Sequence, residues 1–275
     1  LKREEIKAAV LRIEGTNCEE ESHLAFKRLG AQAEKVHLKQ LIKQDVDKEE
    51  ERNLQDYDIL MVPGGFSAGD YVRAGALFGA RMKSRLGEEL KNFVQTGKPV
   101  LGVCNGFQVL VEIGLLPAKE ELMSEVPSAA LETNDSNKFE CRPTLLQVED
   151  NSNCVFTREY DKEETVLYPS AHKEGKFVLS EDIKVKDLEK NDQIVFRYTT
   201  PNGKEPEYPW NPNGSIDNIA GICNLEGNVL GLMPHPERVF NKHLKPDWTR
   251  DGMTRNRGDG RPLFESALTY LEENF

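Results

Sequence analysis

The sequence predicts an α/β fold built on a mostly parallel sheet with helices on both faces. Two observations carry this prediction. Short apolar runs of strand length alternate with helix-length segments through the first part of the chain, the order that βαβ units produce. The two most distinctive motifs of that part, Gly64-Gly65 and Cys104, both fall where such strands end. In parallel α/β sheets that edge is the one that carries functional groups.

The elements follow in order. Residues 8–13 form a compact apolar run, the first buried strand. Gly15-Thr16-Asn17-Cys18 reads as a loop in which Asn17 caps the next helix, residues 19–29, and Gly30 ends it. Residues 33–36 form a short strand, and the charged stretch 43–52 reads as the solvated surface of a helix. Residues 58–62 are the next clear strand, running into the glycine-rich loop Pro63-Gly64-Gly65-Phe66-Ser67-Ala68-Gly69-Asp70-Tyr71. Residues 74–86 and 87–95 look helical, and Gly97-Lys98-Pro99 resets the chain for a strand that reaches Cys104. A helix over 107–113 follows, stopped by Gly114.

After Pro117 the pattern changes. Residues 120–139 are polar and irregular, an exposed stretch by composition. Short apolar or alternating runs occupy 144–148, 165–168, 176–179, 193–198, 218–223 and 229–232, with Gly227-Asn228 making the last two a hairpin. The proline-rich segment 200–215 reads as a long ordered loop or an interface, and 262–270 as a closing helix with Pro262 in its first turn. No repeat or low-complexity linker divides the chain, so residues 1–275 read as one domain.

Composition narrows the function classes. The chain is 38% hydrophobic and 30% charged, ample for a core, and its net charge of −11 argues against general affinity for nucleic acid or anionic membrane. There is no apolar stretch of membrane-spanning length and no N-terminal signal pattern. Five dispersed cysteines form neither a CxxC pair nor a zinc-type cluster, so the expectation is a reducing cytoplasm and no metal site.

The chemistry centres on Gly102-Val103-Cys104-Asn105-Gly106-Phe107-Gln108. A cysteine at a strand-to-helix turn, with glycine two residues away on each side, is a nucleophile-elbow arrangement. The helix start favours thiolate through its free N–H groups and dipole. Gly64 and Gly65 let a bare backbone N–H approach an anion, as an oxyanion hole requires. The 229–232 strand runs into Pro234-His235-Pro236-Glu237-Arg238, where an extended chain points His235 and Glu237 the same way, a carboxylate orienting an imidazole. His172 and Glu174 share that spacing, so spacing alone leaves both histidines open as the base. Cys18 is a second thiol at a helix start, but no base candidate lies near it in sequence and it reads as structural.

Together the elbow and the Pro-His-Pro-Glu-Arg segment resemble the triad (class I) glutamine amidotransferases, with support from Gly15-Thr16-Asn17-Cys18, the 63–71 loop and Asn211-Pro212-Asn213-Gly214-Ser215. The resemblance runs nearly the whole chain and is nearest to glutaminase subunits of the purine pathway. It implies a three-layer flavodoxin-like sheet and hydrolysis of glutamine to glutamate and ammonia. The implied nucleophile is Cys104, with His235 as base oriented by Glu237 and the backbone of Asn105 and Gly65 as oxyanion hole. Gly64, Phe66, Gln108 and His172 would belong to the substrate pocket. No cofactor is implied in this chain; ATP and magnesium belong on a synthetase subunit, with a small third subunit as companion. Lys173 stands where the family usually has glycine and Ala68 where it commonly has tyrosine, and the tail 242–261, with Arg250, Arg255, Arg257 and Arg261, looks longer than needed. The rival readings are a peptidase or amidase on the same fold, a docking subunit without catalysis, and a redox sensor using Cys104.

Overall fold

A computed structural model describes residues 1–118, 121–150, 153–161, 163–250 and 256–275. In chain order its strands are β1 (Lys7–Arg12), β2 (Gln32–His37), β3 (Ile59–Val62), β4 (Val100–Val103), β5 (Ala129–Thr133), β6 (Glu140–Val148), β7 (Thr165–His172), β8 (Glu174–Leu179), β9 (Ile194–Tyr198), β10 (Ile219–Cys223) and β11 (Val229–Leu232). The helices are α1 (Glu19–Arg28), α2 (Leu38–Ile42), α3 (Ala76–Gln95), α4 (Asn105–Glu112), α5 (Val185–Lys190) and α6 (Arg261–Asn274). Among the described residues one large sheet runs β2-β1-β3-β4-β11-β10-β9-β6-β7. The neighbours from β2 to β11 are parallel, and those from β11 onward are antiparallel.

Every residue of β3, β4 and β11 is buried, which is why each reads as an unbroken apolar run rather than an alternating one. Helix α1 packs with α6, where Phe26 meets Phe264 edge-on at 5.2 Å, and α3 packs with α4. Helix α3 turns Phe78, Met82, Leu86, Leu90 and Phe93 inward at helical spacing. No helix among the described residues is long and apolar enough to cross a membrane.

Several local expectations change. The 43–52 stretch is not a helix: Lys43 and Asp45 take positive φ (53° and 51°), which ends α2 and leaves a short 3-10 turn at Lys48–Glu50. The two helices expected over 74–95 are one, because Gly87 has open space around it and costs α3 only about 1 kcal/mol relative to Ala. The polar 120–139 stretch contains β5, which buries Ala129 and Leu131 and pairs antiparallel with β8. Its first residue, Glu120, lies outside the described residues, as does Arg255 of the arginine-bearing tail. Arg257 and Arg261 both pair with Glu265 of α6, so these two tail cations are engaged within the chain. Asn17 does not cap α1; Cys18 occupies that position, without a side-chain cap bond.

The junction of β4 and α4 depends on absent side chains. A Cβ on Gly106 would lie 1.8 Å from the Val62 carbonyl oxygen of β3, and one on Gly102 would lie 2.7 Å from the Gly106 oxygen. Backbone therefore rests directly on backbone where the sheet hands the chain to α4. Gly106→Ala is expected to lower unfolding stability by at least about 2 kcal/mol through overpacking, read as a lowered urea midpoint at unchanged slope. An unshifted midpoint contradicts this account of the turn.

Candidate active site

Cys104 stands between β4 and α4 with φ 52° and ψ −107°. A non-glycine residue in that region is strained by about 1–3 kcal/mol, held by its surroundings. Its N–H donates to the Leu232 carbonyl of β11 at 2.7 Å, and its thiol donates to the Ala171 carbonyl of β7 at 3.6 Å. His235 follows β11, and its N–H donates to the Pro169 carbonyl at 2.8 Å. Three strands thus converge on one point at the C-terminal edge of the parallel sheet.

His235 and Glu237 are both 2% exposed, and Nδ1 of the imidazole is 2.5 Å from Glu237 Oε1. The segment is not extended as expected: Pro236–Val239 is a 3-10 turn, and the turn rather than strand alternation brings the pair together. Nε2 of His235 has no hydrogen-bond partner among the described residues. Burial pulls the His235 pKa down, but the Glu237 carboxylate and then Cys104 outweigh it and hold the imidazole well above its ordinary value. A carboxylate on one ring nitrogen and an unengaged second nitrogen make a base able to exchange a proton with a neighbouring thiol. Cβ on Gly64 would lie 2.7 Å from His235 Cε1 and 3.3 Å from Cys104 Cβ, so Gly64 packs between base and thiol rather than lining the cavity.

His172 is a different kind of histidine. Burial first, and His235 second, push its pKa down to about 3, so it stays neutral through the physiological range. Its Nδ1 lies 3.2 Å from Asn134 Oδ1, while Glu174 instead accepts the Ala74 N–H at 3.0 Å. Of the two histidines left open by spacing, His235 alone has the carboxylate.

A cavity of about 250 Å³ opens beside Cys104, lined by Gly65, Phe66, Gln108 and His172 among others. Gly65 has φ +152°, and a Cβ there would press within 2.8 Å of Asn17 N. Gln108 is held at both ends, accepting from Asn105 Nδ2 at 2.9 Å and donating to the Glu174 carbonyl at 2.5 Å. It shapes the wall.

Sequence reasoning missed three groups. Cys18 is 1% exposed, with Sγ 3.9 Å from His235 Nδ1 and accepting from Arg238 Nη2 at 3.1 Å. Burial pushes the Cys18 thiol up, so it backs the imidazole as a neutral group. No sequence signal connects positions so far apart, although Arg238 sits inside the His235 motif. Asp70, quoted only as part of a glycine loop, lines the cavity near Asn105 Nδ2, at 3.4 Å.

The sequence pattern of the CobB/CobQ-like glutamine amidotransferase domain matches residues 5–271, and the chain belongs to that family. Among its relatives, the phosphoribosylformylglycinamidine synthase subunit PurQ of Archaeoglobus fulgidus is 51% identical, over 98% of this chain and 99% of its own length. The subunit of the same name from Methanosarcina acetivorans is 41% identical, over 98% of this chain and 100% of its own. A chain in the PurLQS structure from Thermotoga maritima superposes with a TM-score of 0.71 at 32% identity, covering 97% of this chain and 99% of that one.

Burial, and then the Glu174 carboxylate, raise Asp70 from an ordinary 3.8 to about 6. The folded state therefore holds the proton more tightly than the unfolded state. The associated stability is complete below about 3.8 and is lost as pH rises through about 6. Asp70→Asn is expected to raise the melting temperature of the ligand-free chain at neutral pH, with the gain shrinking towards about pH 4. Asp70 is only half-buried, so screening keeps the effect small. A gain that grows on acidification contradicts the sign.

Proposed function

We propose that this chain is the glutaminase subunit of a phosphoribosylformylglycinamidine synthase, a single domain over residues 1–275 that hydrolyses glutamine through a Cys104 thioester. The supporting observation is the strained Cys104 elbow facing a buried His235–Glu237 pair, in a chain whose relatives carry that subunit's name. Nε2 of His235 takes the thiol proton, and the resulting imidazolium keeps its Nδ1 proton directed at Glu237. The thiolate attacks the carboxamide carbon of glutamine. Backbone N–H groups of Asn105, at the start of α4, and of Gly65 receive the oxyanion as it forms. The imidazolium then protonates the departing nitrogen and ammonia leaves. The neutral imidazole next takes a proton from water, which attacks the thioester and releases glutamate while the thiol is restored.

Gly64 supports this chemistry by its lack of a side chain, Phe66 and Gln108 shape the pocket, and neutral His172 forms part of its wall. The step draws on no cofactor in this chain. ATP and magnesium are assigned to the synthetase subunit, which converts formylglycinamide ribonucleotide to formylglycinamidine ribonucleotide with the ammonia, alongside a small third subunit in the cytoplasm.

In the assembled synthase, Cys104→Ala is expected to cut glutamate release from glutamine by at least about 10⁴-fold, as removal of a nucleophile does in other triads. Amidine formation from ammonium salts should persist, because that step needs only the synthetase subunit. Undiminished glutamate release by Cys104→Ala would rule out the thioester mechanism.

A further inference from the structure

Resting on the glutaminase reading, we infer that Cys18, His235 and Glu237 form an inhibitory site for a thiophilic divalent cation of the zinc type. The ion takes Cys18 Sγ, His235 Nδ1 and the Glu237 carboxylate as ligands. By holding that ring nitrogen it switches the base off.

The three side chains offer a thiol, an imidazole nitrogen and a carboxylate, with ligand atoms all within 4.8 Å of one another. Among the described residues no other three side chains of these kinds come so close. Mixed sulfur, nitrogen and oxygen donors suit zinc, whereas magnesium needs an octahedron of oxygens. Nδ1 of His235 is 3.9 Å from Cys18 Sγ and 2.5 Å from Glu237 Oε1. A tetrahedral ion with bonds of about 2.0–2.3 Å sets its ligands roughly 3.3–3.8 Å apart. The sulfur–nitrogen distance is already close to that range, and the carboxylate has to withdraw by roughly 0.8 Å to reach it. Three protein donors leave the fourth position of the ion to water.

Burial separates this cluster from a chance surface grouping, since all three residues are buried. Glu237 Oε2 has no hydrogen-bond partner among the described residues, an unsatisfied buried oxygen that a cation would serve. The position of the sulfur is fixed, because the Cys18 N–H donates to the Gly64 carbonyl at 3.1 Å, just beyond β3. The way in is past Arg238, whose side chain is 32% exposed and whose Nη2 donates to Cys18 Sγ at 3.1 Å. That guanidinium swings out into solvent to admit the ion, and its charge opposes a second cation, so binding is expected at micromolar rather than nanomolar metal. On binding, the Cys18 thiol proton passes to solvent. With the ion on Nδ1, the single proton of a neutral imidazole has to sit on Nε2, the nitrogen that must accept the Cys104 proton. The base is then blocked as an acceptor and has lost Glu237 as its partner. Sequence spacing gives no sign of this site, because Cys18 and His235 lie 217 positions apart.

The test measures glutamate release from glutamine by the assembled synthase at buffered free zinc. Micromolar zinc is expected to lower kcat and leave the glutamine KM almost unchanged, because the ion lies behind the imidazole rather than in the cavity. Amidine formation from ammonium salts at the same zinc controls for metal acting on the synthetase subunit. Each variant is compared with its own zinc-free rate. Cys18→Ser is expected to raise the inhibition constant by at least about 10-fold, since losing a group that merely supports a metal ligand already costs about 10–100-fold. Binding is read separately on the full chain carrying Cys104→Ala, from the ultraviolet thiolate-to-metal band of cadmium. Adding Cys18→Ser should remove the tightest part of that titration, while the exposed Cys141 contributes equally to both proteins. Magnesium should not compete.

Equal zinc inhibition of the parent and Cys18→Ser, or inhibition that competes with glutamine, would place the ion on Cys104 and overturn the inference. An undiminished cadmium titration after Cys18→Ser overturns it too, as does a parent untouched by micromolar zinc. These results leave the glutaminase reading intact. Failure of the zinc-free parent complex to release glutamate overturns that reading itself, while the cadmium titration still reports on the cluster.

Discussion

The site depends on one backbone contact, the first turn of α4 lying against the end of β3 at Gly106 and Val62. Because no side chain separates them there, the chain leaving β4 has to turn within a single residue, and that residue is Cys104 at φ 52°. The strain is held by the surrounding bonds: the Cys104 N–H ties the turn to β11, and the buried, mostly apolar α4 locks it to the sheet. A thiol fixed in this way is held in place by the backbone itself. The same rigidity places the start of α4, with its free N–H groups, beside the sulfur.

Around that point the structure sorts groups by environment rather than by residue type. Two histidines lie close enough to influence each other, yet one is held well above its ordinary pKa and the other is pushed down to about 3. Glu237 accounts for much of the difference: it contacts His235 directly, whereas the nearest acid in sequence to His172 is turned towards Ala74. Two buried thiols divide similarly. Cys104 sits at the elbow, while Cys18 packs behind the imidazole with Arg238 on its sulfur. Asp70 illustrates the opposite balance, a half-buried carboxylate raised to about 6 by burial and then by the Glu174 charge.

The relation between sequence and structure is clearest in particular elements. The strands β3, β4 and β11 were legible because burial on both faces makes them uniformly apolar, and α6 because Pro262 marks its start. The elbow was legible because steric demand at a tight turn leaves glycine at fixed offsets. The strand β5 was not, since it buries only two of its five residues, within a polar stretch, and gains its pairing from β8. The 43–52 stretch misled because a run of charged residues on an exposed surface does not require a helix, and two positive-φ residues broke it. The His235–Glu237 pairing was anticipated for an incomplete reason: the spacing was right, but a 3-10 turn rather than an extended strand brings the two together.

The sequence by itself therefore determined the parallel half of the sheet, the family and the elbow that carries Cys104, because each is encoded locally, in runs, turns and short spacings. Only the tertiary structure decided which histidine has the carboxylate, that Cys18 and Arg238 back it, and that Asp70 faces the same cavity as Cys104. Those relations join residues brought together only when β3, β4, β7 and β11 are assembled side by side. Solvation and charge, which set the properties of each group, exist only after that assembly.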